Sequence, residues 1–220
     1  MNALLIGATG LVGRLALEQL LENEQYTQVL TISRSNLAIE HPKLISVVAD
    51  FDDVLANPSQ YQAALSVDHL FCTLGTTIKT VGGDQAQFVK IDLEWPIAIA
   101  TLSKERGCQA VFAISSLGAD SRSGNLYTRT KGQLEDGLKA LAFEGCVIYQ
   151  PSLLIGKRDQ LNQATRLGES IGQALMPLAN PFLRGKLRKY RGTPIQAIAV
   201  QMVKDGMNPP RGFKRHYFTD

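Results

Sequence analysis

The stretch Ala3-Leu4-Leu5-Ile6-Gly7-Ala8-Thr9-Gly10-Leu11-Val12-Gly13 decides the fold. Four apolar residues run without alternation into a glycine, the pattern of a short strand buried on both faces. Leu11, Leu15, Leu17, Leu20 and Leu21 then recur close to helical spacing, which predicts a helix over Leu11–Glu22. The join between strand and helix is GxxGxxG. Gly7 can take the tight turn, Gly10 lets main chain approach a diphosphate, and Gly13 lets the helix pack close to the strand. Free N–H groups at the helix start then face the anion. A glycine triplet alone says little. Between a strand and a helix it points to a dinucleotide bound over Gly7, Ala8, Thr9, Gly10, Leu11, Val12 and Gly13.

Working outward, strand-like and helix-like segments alternate. Strands are expected at 29–32, 44–48, 69–72, 110–114 and 146–149, the last stopped by Pro151. A long helix is expected at 87–106, closed by Gly107, and another at 126–143. Alternation of this kind implies βαβ units, hence an α/β, Rossmann-type, doubly wound parallel sheet with ligands at the carboxyl ends of the strands. After Gly156 the pattern loosens. Residues 159–175 read as a helix, and 177–192 are basic and punctuated by Pro and Gly. Thr193 reads as a cap with Pro194 in the first turn of a helix to about residue 207, and 216–219 as a last short strand. The expectation is one domain over 1–220, with a cofactor-binding core at 1–156 and a small substrate-side cap at 157–220.

The chain has 220 residues, of which 45% are hydrophobic and 20% charged, ordinary values for one sizeable core. A formal charge of +3 suits an anionic ligand and is too weak for nucleic acid. Cys72, Cys108 and Cys146 form no CxxC pair, and no metal-ligand spacing links them with His41, His69 or His216. They read as reduced, packed residues. The first residues lack the features of a secretory signal, and no apolar stretch approaches bilayer length. A cytoplasmic protein without a membrane or nucleic-acid partner is expected.

Arg34 follows the second strand, where many such folds place an acidic residue on the ribose diol. An arginine suits a 2′-phosphate instead, so NADP(H) is expected over NAD(H). Asp50 and Phe51, after the third strand, are candidates for the adenine end; Asp50 reads equally well as a helix cap. Tyr127-Thr128-Arg129-Thr130-Lys131 puts a phenol and an ammonium one helical turn apart on one face. The ammonium favours the phenolate and so equips Tyr127 for acid/base work. Ser115 and Ser116 end the fifth strand, where a hydroxyl could hold a carbonyl oxygen.

Together these residues resemble the short-chain dehydrogenase/reductase superfamily. The closer likeness is to its atypical branch, which contains the human Tat-interacting protein and small bacterial relatives. Phe71-Cys72-Thr73-Leu74-Gly75-Thr76-Thr77 is similar to that branch's fourth-strand segment, and Ser115-Ser116-Leu117-Gly118-Ala119-Asp120 to its SS-x-GAD segment. The likeness covers residues 1–155 well and the rest loosely. It implies a cofactor held by Gly7, Gly10, Gly13, Arg34 and the loop Leu74, Gly75 and Thr76. It also implies a catalytic set of Ser116, Tyr127 and Lys131, with Lys131 on the cofactor ribose too and Ser115 an alternative to Ser116. Typical members carry an asparagine on the helix after the fourth strand. Lys90 and Asp92 stand in that stretch, and neither matches.

The expected activity is NADP(H)-dependent hydride transfer to or from a small carbonyl or alcohol substrate. The alternative class is a protein that binds NADP(H) for regulation without turnover. A nucleotide-sugar epimerase is disfavoured because the cap is short. The basic run Arg184, Lys186, Arg188, Lys189 and Arg191 reads as a solvated lid or as an anion clamp. Phe88 and Trp95 read as packing residues on the long helix, which is also a candidate homodimer contact.

Overall fold

The computed structural model describes residues 1–155 and 192–218. The helix expected at 159–175, the basic run from Arg184 to Arg191 and Thr219 lie outside the described residues. In chain order the strands are β1 (Asn2–Ile6), β2 (Gln28–Ser33), β3 (Leu44–Val48), β4 (His69–Cys72), β5 (Ala110–Ile114), β6 (Gly145–Gln150), β7 (Leu154–Ile155), β8 (Thr193–Pro194) and β9 (Gly212–Tyr217). The helices are α1 (Leu11–Glu22), α2 (Phe51–Ala56), α3 (Gln62–Leu65), α4 (Gln85–Val89), α5 (Trp95–Glu105), α6 (Leu126–Ala140) and α7 (Ile195–Met207).

Seven strands form one parallel sheet in the order β3-β2-β1-β4-β5-β6-β9. This is the doubly wound Rossmann order. Ile6 at the end of β1 lies beside Ile32 on one side and Cys72 on the other. The chain therefore leaves β1 at the point where strand order reverses, and a crevice opens there. The unbroken apolar run in β1 has a direct cause. Ala3 and Leu5 pack with Val12, Leu17 and the α7 residues Ile198 and Met202 on one face. Leu4 and Ile6 pack with Trp95, Ile99, Leu134 and Leu138 on the other. Burying a Leu or Ile side chain completely, as at Leu4, Leu5 and Ile6, favours folding by roughly 1.5–3 kcal/mol.

Several boundaries differ from expectation. The helix expected at 87–106 starts earlier, at Gln85, because Asp84 caps it by accepting from the Gln87 amide. It is then interrupted by a single π-helical turn, Lys90–Glu94. Gly107 ends α5 at φ +96°, as expected. The helix expected to reach 143 stops at Ala140. Thr193 is not a helix cap. It is buried in β8, where its hydroxyl accepts from the Ser152 amide at 3.2 Å, and Pro194 takes the capping position. The last strand is longer and earlier than 216–219, because its Gly212–Tyr217 register is set by pairing with β6.

Candidate active site

The turn after β1 is closed by backbone contact. Gly7 has φ +88°, and a Cβ there would lie 2.6 Å from the Thr73 carbonyl carbon. A Cβ on Gly13 would lie 2.1 Å from the Gly7 oxygen. Both positions exclude any side chain. Ala8 and Val12 turn their side chains into the core, which leaves main chain at the surface of the turn. Three other helix starts contrast with this one. Asp50 caps α2, Asp84 caps α4 and Asn125 caps α6, each accepting from a first-turn amide. Gly10 opens α1 with no side-chain cap and no acid in the first turn. The α1 amides therefore face the crevice with positive dipole and no built-in acceptor. This cradle fits a dinucleotide diphosphate.

On one side of the turn, a hollow of about 310 Å³ is lined by Gly7, Thr9, Ser33, Arg34, Phe51 and Leu74. Arg34 is exposed at its rim. Phe51 is buried and stacks on Trp95, with ring centroids 5.1 Å apart. Asp50 does not line this hollow. It does cap α2, its Oδ1 accepting from the Asp52 amide at 2.8 Å.

On the other side lies a cavity of about 340 Å³. Gly10, Leu11 and Val12 line it, as do the loop 73–77 and the side chains of Ser116, Tyr127 and Lys131. Tyr127 is 39% exposed, with its ring tilted 6.0 Å from that of Phe88. Lys131 is buried. Its Nζ lies 2.8 Å from Asp92 Oδ1, an ion pair between side chains only 4% and 0% exposed. The other carboxylate oxygen of Asp92 accepts from the Thr76 amide at 2.8 Å. Burial works against charge on Lys131, but Asp92 and Tyr127 outweigh it and hold the ammonium above the usual lysine range. Cys72 lies nearby, its thiol pushed up to about 11 by burial.

The two serines separate by partner. Ser115 is buried and donates to Glu135 Oε1 at 2.5 Å. Ser116 makes only a long 3.4 Å contact with the Leu117 carbonyl and is the less engaged hydroxyl. Glu135 is itself buried and also accepts from Gln150 at 2.7 Å and from Arg215 at 2.6 Å.

Two residues, Glu135 and Gly132, escaped the sequence reading, and a third, Asp92, was named there without a role. Phe88, Asp92, Trp95 and Ile99 follow 4-3-4 spacing, so Asp92 is an acid on an apolar helical stripe. Lys131, Glu135 and Leu138 repeat that signal on α6. A buried charge at such a position needs a partner, and here each finds one. At Gly132 a Cβ would lie 2.1 Å from the Ser121 amide, so the loop after β5 crosses α6 at that glycine.

Sheet order, glycine cradle and the Tyr127–Lys131 wall define a nicotinamide-dinucleotide-binding protein of the short-chain dehydrogenase/reductase type. Comparison with known proteins agrees. The NAD(P)H-binding family profile matches residues 7–149. Protein FMP52, mitochondrial, of Eremothecium gossypii is 32% identical over 203 residues, covering 92% of this chain and 86% of that protein. Protein HTATIP2 of Rattus norvegicus is 31% identical over 215 residues, covering 96% and 83%. The crystal structure of UDP-glucose 4-epimerase from Thermotoga maritima superposes with a TM-score of 0.73 at 13% identity, over 100% of this chain and 78% of that one. That last likeness is one of fold. The chain belongs to the NAD(P)H-binding family, within the atypical short-chain dehydrogenase/reductases that include HTATIP2.

The cytoplasmic location expected from the sequence is overturned by the fungal relatives, which are named mitochondrial. Reduced, buried cysteines carry no information that separates the two compartments. Among the described residues no helix is long and apolar enough to cross a membrane.

Proposed function

We propose that the protein is an NADP(H)-dependent oxidoreductase acting on a small carbonyl or alcohol. The observation that carries this reading is the single cavity into which the amide turn of α1, Ser116, Tyr127 and Lys131 all open. Bound NADP(H) would supply or accept the hydride. Gly7, Gly10 and Gly13 admit its diphosphate, and Arg34 meets the 2′-phosphate with a guanidinium where an acid would repel it. Ser116 donates a hydrogen bond to the substrate oxygen. Tyr127 delivers the proton to that oxygen during carbonyl reduction and removes it during alcohol oxidation. Lys131 stabilises the phenolate that proton donation leaves behind.

Titrating NADPH by fluorescence and then screening carbonyl substrates tests the reading. Tyr127→Phe is expected to bind NADPH as the wild type does and to lose on the order of a hundredfold or more in kcat. Tight NADPH binding with no turnover on any substrate would leave a cofactor-reading regulatory protein instead. Turnover unchanged in Tyr127→Phe would remove the proton-transfer role.

A further inference from the structure

A buried lysine is charged only if something holds the charge there. Lys131 lies on α6, walled from solvent, and burial alone would drive its ammonium towards the neutral amine. Its counter-charge comes from a different element. Asp92 sits in the π turn between α4 and α5 with no exposed surface. One of its oxygens faces Lys131 and the other is fixed by the Thr76 amide in the loop after β4. Single π turns inside α-helices are frequent at functional sites. Here the turn carries the acid that joins the catalytic wall to the cofactor-side loop.

We infer that Asp92 is a positioning residue that holds the Lys131 ammonium charged and aimed within the cavity while anchoring the Thr76 loop. Its role in turnover rests on the function proposed above; the pairing itself does not. Among the described residues, the titratable groups acting on Lys131 are Asp92 from the π turn, Tyr127 from its own helix and Cys72 from β4. The Cys72 thiol is pushed up to about 11, so it carries no charge in the neutral range. Tyr127 donates charge only as phenolate. Asp92 is therefore the standing counter-ion. Gly75 borders the pair: a Cβ there would lie at ordinary contact distance, 3.6 Å from Asp92 Oδ1 and 3.9 Å from Lys131 Nζ.

The test reads the lysine directly. Wild type, Asp92→Asn and Asp92→Ala are treated with a small amine-acylating reagent across neutral to alkaline pH. The peptide carrying Lys131 is then quantified by mass spectrometry, with thermal melting to confirm a folded chain. Asp92→Asn keeps the shape of the side chain; Asp92→Ala gives an independent reading if the amide perturbs packing. Without the carboxylate, burial wins, and Lys131 acylation is expected to begin at least one pH unit lower, about tenfold faster at a given mildly alkaline pH. NADPH affinity and kcat are expected to fall over the same pH range, while the wild type holds both. Equal acylation profiles in folded wild type and variants would overturn the inference. A wild type that never turns over, with the acylation difference intact, would strike the proposed reaction and leave the Asp92–Lys131 pairing standing.

Discussion

From Gly7 to Gly13 the molecule offers main chain to a ligand; across the same cavity it offers side chains gathered from three separate elements. The first half works by omission. Side chains are missing at Gly7 and Gly13 because atoms of the neighbouring backbone occupy their space, and no capping group sits on α1. The second half works by assembly. Asp92 comes from a π turn, Ser116 from the loop after β5, and Tyr127 and Lys131 from α6. A surface made by omission is local and tolerates no added atom. One made by assembly depends on long-range pairing and tolerates substitutions that keep the partner satisfied.

Three substitutions press on that contrast. The largest effect belongs to the main-chain half. Gly13→Ala would place a methyl 2.1 Å from the Gly7 oxygen and 2.6 Å from Thr73 Oγ1. NADPH affinity is expected to fall on the order of a hundredfold, with a lower melting temperature, because the turn must open to relieve the overlap. Undiminished NADPH binding in a folded Gly13→Ala protein would break the contrast. In the side-chain half, Glu135→Ala leaves the Ser115 hydroxyl, the Gln150 amide and the Arg215 guanidinium without their common acceptor. Arg215 is 38% exposed and can rehydrate, so the loss in unfolding free energy is expected to be about 2 kcal/mol by denaturant titration. NADPH affinity should hold, since no contact of Glu135 reaches the glycine turn; a fall in affinity matching that of Gly13→Ala would merge the two halves. The smallest effect is that of Arg34→Ala. It is expected to weaken NADPH by about tenfold and leave NADH unchanged, as loss of one exposed charge-assisted contact implies. Equal losses for both cofactors would place Arg34 outside 2′-phosphate recognition.

The same contrast explains what the sequence revealed. The glycine turn and the YxxxK helix are local patterns, each readable within a few residues, and the sheet class follows from the alternation of strands and helices along the chain. Asp92 was visible as an acid on the Phe88–Trp95–Ile99 stripe but could not be assigned, because its role depends on a lysine far along the chain. Ser115 and Ser116 are chemically identical in sequence and part only when Glu135 takes one of them. Thr193 had the chemistry of a cap, but the Ser152 amide competes for its hydroxyl and a buried strand pair holds it. Asp50, by contrast, satisfied its nearest amide, as a short acidic side chain ahead of a helix tends to do.

Glu135 also imposes an order of events during biosynthesis. Its carboxylate emerges from the ribosome 80 residues ahead of the guanidinium that meets it from β9. Until that strand docks beside β6, the wall behind Ser115 would enclose a net negative charge, which a core resists. The serine end of the cavity therefore gains the partner of its buried carboxylate only when the edge strand β9 pairs with β6.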